Sequence, residues 1–203
     1  MMNDQGAARS SLRGGLRRIP RVPEPANAFM KLAWEQDWLL RKRTLQDRET
    51  NTSYELVFQD EDNDSWLYYV EDLLIDLPYV TTYGREQDAL ADLVAGELDT
   101  WPSEELFAAW DHADSVEDAA RALLMLGVAA PPTYSEPFST RLEAGLRHEH
   151  QHVRNAAAIA VAYRGWKALQ PTIIELQSSD PDEAMRRRCR TILDRWSEHA
   201  EEP

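Results

Sequence analysis

The stretch RHEHQHVRN, Arg147–Asn155, decides how this chain is read. Within it His148-Glu149-His150-Gln151-His152 satisfies H-E-x-x-H. On a continuous helix, two histidines at i and i+4 share one face and bind zinc, and the glutamate between them activates a water. That chemistry needs helix through all five residues. The sequence around the stretch argues for a different register. Val116–Leu124, Val153–Val161 and Met185–Leu193 can be aligned on their first residues. In each, the first, fifth, eighth and ninth positions are apolar. Those offsets place one stripe on one helix face, with the small residues Ala120, Ala157 and Cys189 inside it.

The stripes recur after 37 and then 32 residues, within the range of helical repeats. Each is preceded by another amphipathic stretch, Ser103–His112, Phe138–Arg147 and Trp166–Gln177. Short polar turns separate the pairs at His112–Ser115, His148–Gln151 and Ser178–Asp182. Ser115 and Asp180 suit helix N-caps, and Pro181 suits a first helical position. Gly127, Pro131-Pro132 and Arg164-Gly165 are helix stops. In this register His148, Glu149 and His150 fall in a turn and a helix starts near Gln151. No metal site is therefore expected there.

The segments LRHEHQHVRNAAAIAVAYRG and LQSSDPDEAMRRRCRTIL resemble HEAT repeats. The basic residue after the first apolar one, characteristic of that family, is Arg154 in one repeat and Arg186 in the next. It is Glu117 in the first, which departs from the pattern. The resemblance covers about half the chain. It implies an α-solenoid of about three HEAT-like helix pairs over residues 101–198, and it says little about function.

Ahead of that region the patterning changes. Ser53–Phe58 and Trp66–Val70 alternate with period two around the polar cluster Asp60–Ser65, which predicts a β-hairpin. Leu77–Tyr83 offers a third strand, with Pro78 marking an edge or a strand start. A helix is expected over Glu86–Glu97. Lys31–Asp47 reads as a helix, with a strand over Trp38–Leu45 as the alternative. Residues 1–29 carry Arg9, Arg13, Arg17, Arg18 and Arg21 with no apolar run after them, and are expected to be a disordered basic tail. Residues 30–100 are then a small α+β unit. The expected fold is α+β, mostly α, with a small N-terminal β-hairpin/helix unit packed on a C-terminal α-solenoid.

Charge is distributed unevenly. Glu55–Asp118 holds nineteen Asp and Glu against the single cation Arg85, in a chain whose net charge is −14. Such a field repels nucleic acid and membrane surfaces and attracts basic partners, although a solvated acidic face is the plainer reading. The lone Cys189 forms no internal disulfide and points to a reducing compartment, hence the cytoplasm. No apolar run reaches the roughly 20 residues that span a bilayer. No G-x-G-x-x-G, P-loop or G-x-S-x-G occurs, so no cofactor is expected. Asp60, Asp62 and Asp64 are spaced like a calcium loop, but the sixth position is Ser65 where that loop needs glycine.

These observations lead to a non-catalytic protein-binding module with an acidic surface. The candidate partner-binding residues are Asp60, Glu61, Asp62, Asp64, Trp66, Glu71, Asp72, Glu104, Glu105, Asp111 and Asp114. Trp66 is included because tryptophan dominates interface hot spots. The expected partner is a basic protein. In style, small acidic proteins of this build resemble bacterial immunity proteins of polymorphic toxin systems, which implies a nuclease-type toxin as the partner. Two other readings stay open: a scaffold or assembly factor with HEAT repeats, and an enzyme. The enzyme would be a HEAT-like lyase, or a metal-dependent hydrolase using His148, Glu149 and His152.

Overall fold

The computed structural model describes residues 14–200. The chain divides into two compact units, Met1–Pro102 and Ser103–Pro203.

The first unit is built on a five-stranded antiparallel sheet. Its strands are β1 (Leu16–Arg18), β2 (Leu39–Thr44), β3 (Tyr54–Asp60), β4 (Ser65–Asp72) and β5 (Leu77–Gly84), in the order β1-β5-β4-β3-β2. Period-two alternation in β3 and β4 sends Leu56, Phe58, Leu67 and Tyr69 to one face, where Leu56 sits opposite Tyr69 and Phe58 opposite Leu67. Val80 of β5 continues that face beside Tyr69. Helices α1 (Pro25–Glu35) and α2 (Gln87–Glu97) supply the rest of the core. Phe29, Leu32 and Ala33 of α1 join Leu90 and Val94 of α2 in one buried cluster with those strand residues. Phe29 lies edge-on to Phe58 and stacked on Tyr69, with both ring centroids 5.6 Å away. Each such side chain taken fully out of water contributes about 1.5–3 kcal/mol.

Two expectations about this unit are corrected. The first is the helix over Lys31–Asp47. The helix stops at Glu35, Asp37 takes a left-handed φ of 56°, and Trp38 N–H donates to Ala33 O at 2.9 Å. That reversal frees Leu39–Thr44 to pair with β3. The second is the disordered tail over 1–29. Its first thirteen residues lie outside the described range, but Leu16–Arg18 form β1 against Thr82–Val80 and α1 begins at Pro25. Arg18 reaches Asp92 of α2 at 3.5 Å.

The second unit is helical: α3 (Ser103–Asp111), α4 (Val116–Ala129), α5 (Glu136–Leu146), α6 (Gln151–Arg164), a 3₁₀ turn (Lys167–Leu169), α7 (Gln170–Ser179) and α8 (Glu183–Ala200). The small-residue stripes face inward, with Ala120, Ala157 and Cys189 all buried. Helix α4 packs against α6 so closely that a Cβ on Gly127 would stand 2.4 Å from the Cα of Ala160. Ser115 caps α4 by accepting from the Asp118 N–H at 3.0 Å, and Gly165 closes α6 with a φ of 65°.

The expected fold class is therefore corrected. The chain is α+β overall, but it is not a minor hairpin unit attached to a solenoid. A complete five-stranded sheet with its own helical layer occupies the first unit, and the helices that follow do not form a clear solenoid. Repetitive apolar spacing specifies which helix faces are buried. It does not specify that successive pairs stack into a superhelix.

Candidate partner-binding surface

The acidic end of the sheet is assembled from the β3–β4 turn outward. Asp60 closes that turn by accepting from the Asn63 side chain at 2.8 Å and from its backbone N–H at 3.3 Å. Asp64 follows with a left-handed φ of 47°. Ser65 is completely buried. Its hydroxyl donates to Asn63 O at 3.0 Å and accepts from the Glu86 N–H at 3.1 Å. One hydroxyl thus ties the turn to the junction between β5 and α2.

Gly84 makes that approach possible. It pairs with Ser65, has φ 104°, and a Cβ there would lie 2.4 Å from Asp64 O. No L side chain is accommodated. The backbone of the turn that carries Asp60, Glu61, Asp62 and Asp64 is thereby tied to the junction that carries Glu86 and Asp88, together with the exposed cation Arg85. All are exposed except Asp60, which is half-buried. Arg41 of β2 answers part of this charge by pairing with Glu61 and donating to Gln59 at 2.8 Å. Exposed carboxylates held within a few residues of one another produce a field that falls off over about 10 Å at 0.1 M salt.

Trp66 follows Ser65 on the sheet face opposite α1 and α2, and it is half-buried. Its cross-strand neighbours are Gln59 and Tyr83, and Tyr83 meets Tyr68 edge-on at 5.5 Å. The turn acids and Trp66 are therefore brought together.

Within the same unit, Glu71 and Asp72 are not brought to this end. Glu71 and Asp72 lie at the far end of β4, about 20 Å along the strand at ~3.3 Å per residue. There Glu71 accepts from the Tyr69 hydroxyl at 2.9 Å. Burial, and then that hydrogen bond to an anion, raise the Tyr69 pKa above the usual tyrosine value. Tyr69, Glu71, Asp72 and Asp76 line a hollow of about 160 Å³. Glu104, Glu105, Asp111 and Asp114 belong to the helical unit. Asp111 is held there by Arg141, through Nε at 3.1 Å and Nη2 at 2.5 Å. The sequence reading missed the tie to Glu86 and Asp88. The signal was the Gly84 that ends the β5 pattern, but nothing in the local sequence says that Ser65 bonds across to it.

The H-E-x-x-H stretch takes the turn geometry. His148 and His150 precede α6, which starts at Gln151. The His150 N–H donates to Nδ1 of His148 at 3.0 Å, and the His152 N–H to Nδ1 of His150 at 3.3 Å. The first two imidazoles therefore serve the backbone. Arg154 completes the turn by donating through Nη1 to His148 O at 3.0 Å and Glu149 O at 2.8 Å. Among the described residues no group of three or more His, Cys, Asp or Glu is arranged to hold a metal ion. Among the same residues no helix is long and apolar enough to cross a membrane.

No family model matches this sequence, and neither a curated protein nor a solved structure matches it.

Proposed function

We propose that this protein is a non-catalytic binding module that docks a basic protein through the acidic end of its sheet. The single observation that carries the reading is that the Ser65–Gly84 anchor ties the turn bearing Asp60, Glu61, Asp62 and Asp64 to the junction bearing Glu86 and Asp88. Concentrated charge of one sign speeds and orients encounter with the opposite sign, and the neighbouring half-buried Trp66 supplies apolar contact area. A cytoplasmic protein that neutralises a basic, nuclease-type toxin by covering its cationic cleft fits this charge pattern, in the manner of an immunity protein.

The test is affinity capture at about 0.05 M and about 1 M salt, spanning strong and weak screening. It uses the wild-type chain and a D60K/E61K/D62K variant, and identifies the captured protein by mass spectrometry. A basic partner held at low salt and lost with either change supports the reading. A partner retained equally in all conditions overturns it.

A further inference from the structure

The sheet has a second surface of opposite character. Strand β2 is its outermost member next to β3, and among the described residues no strand pairs with the outer side of β2. Five of its six residues are exposed. Among the described residues seven large apolar side chains stand out as exposed, and four of them fall within residues 34–45: Trp34 at 67%, Leu39 at 41%, Leu40 at 50% and Leu45 at 67%. Between them lie Arg41, Lys42 and Arg43, with no acid from Leu39 through Gln46. An exposed sheet edge is a template for one more strand, because its peptide groups on that side await partners.

We propose that the outer edge of β2 binds an extended, acidic segment of another protein by adding it as a sixth strand. Charge selects this occupant. The three cations lean inward onto β3 and its turn: Arg41 onto Glu61 and Gln59, Lys42 onto Glu55 at 3.7 Å, and Arg43 over the Tyr54 ring at 5.7 Å. Exposed ion pairs of this kind are worth about 0–1 kcal/mol, so an incoming carboxylate competes for the same cations at little cost. A second copy of this chain is disfavoured. Pairing β2 with itself sets Arg41–Arg43 against Arg41–Arg43, and like charges directly opposite destabilise a ladder. The register shift between Leu40 and Lys42 works the same way, since a bulge twists an edge away from flat self-association. The exposed leucines at the start of β2 add apolar contacts for the first residues of the added strand. This surface meets the acidic end at the Arg41–Glu61 pair, and the test below leaves both of those residues unchanged.

The experiment is hydrogen exchange on the full chain, with and without a synthetic peptide alternating valine and glutamate. The counterpart with lysine replacing glutamate is the control. The glutamate peptide is expected to slow exchange of the β2 amides while leaving β1, the opposite edge, unchanged. A K42E/R43E variant should bind it at least about tenfold more weakly, a loss of about 1.4 kcal/mol. Unchanged β2 exchange in the wild-type chain overturns the proposal, as does equal protection by the lysine peptide. A dimer protected at β2 in the absence of peptide assigns the edge to a second copy and overturns it too.

Discussion

Arg154 grips Asp180 through two hydrogen bonds, Nε to Oδ2 at 2.7 Å and Nη2 to Oδ1 at 3.0 Å, with the side chains only 10% and 1% exposed. The same guanidinium donates to His148 O and Glu149 O, and Asp180 Oδ1 also accepts from the Asp182 N–H at 2.8 Å. One ion pair thus joins the turn before α6 to the turn before α8. Replacing Arg154 with Met leaves the Asp180 carboxylate buried without its counter-charge and leaves two carbonyls short of a donor. The expected cost is about 3 kcal/mol, read as a lower midpoint in urea unfolding. A loss below about 0.5 kcal/mol would show that the pair is incidental to the helical unit.

The same pair sets the acid response. Burial alone would push the Asp180 carboxyl up. The Arg154 hydrogen bonds, the Asp182 N–H and the charges of Arg154 and Arg186 outweigh it and hold the group below the usual carboxylate range. A group whose folded pKa is depressed contributes stability above its unfolded pKa, and that contribution is lost as pH falls through the folded value. Unfolding free energy should therefore fall below about pH 4, the unfolded aspartate value. The R154M chain should show a shallower slope in that window. Urea unfolding at successive pH values checks this, and parallel profiles for the two chains would refute it.

Two helical glycines should answer oppositely to alanine. Gly96 of α2 is exposed, and an added Cβ there meets nothing within 4 Å. G96A should stabilise by about 0.5–1 kcal/mol through helix propensity alone. Gly127 of α4 gains the same propensity term, but its Cβ would strike the Ala160 backbone of α6. Steric cost wins there, and G127A should destabilise by about 1–3 kcal/mol, read as a lower midpoint. Thermal melts of both variants decide the matter.

Cys189 is fully buried on the inner face of α8, and burial, with the Asp180 charge adding to it, pushes its thiol up to about 11. The nucleophilic thiolate is scarce at neutral pH and shielded from reagent. Native protein should react with a disulfide-exchange reagent only as fast as it opens, and one thiol should titrate at once in denaturant. Rapid labelling of the native chain would contradict the inner position.

Some of this architecture was written locally and some was not. The hairpin of β3 and β4 was readable because Tyr54–Phe58 and Trp66–Val70 alternate faces around a polar turn. The stripes containing Ala120, Ala157 and Cys189 were readable because helix periodicity persists in sequence. β1 was hidden because three residues centred on Arg17 look like part of a basic tail. Only the distant partners Val80–Thr82 make them a strand. β2 was ambiguous because an edge strand buries neither face fully, so Leu39–Thr44 has no alternation to read. At the acidic end, the turn acids are neighbours in sequence. Glu86 and Asp88 arrive through a hydrogen bond spanning 21 residues, and no periodicity encodes that. The pairing of Arg154 with Asp180 is similar: Arg154 was marked as the basic position of the repeat pattern and Asp180 as an N-cap, a task that Asp182 takes by accepting from the Ala184 and Met185 N–H groups, and the contact of the pair depends on how α6 and α8 pack.

The Ser65 hydroxyl has a consequence for the entropy of association. A loop carrying four acids ordinarily samples many arrangements, and a partner must freeze them on contact, at about 0.5–1.5 kcal/mol for each immobilised side chain plus the backbone term. Here the turn's backbone is already fixed by Asp60 closing on Asn63 and by Ser65 bonding to both Asn63 and Glu86. Much of that ordering is met when the chain folds. On the proposed reading, the backbone that carries these carboxylates is set before contact, and discrimination among cationic surfaces would then rest on their shape as well as on their sign.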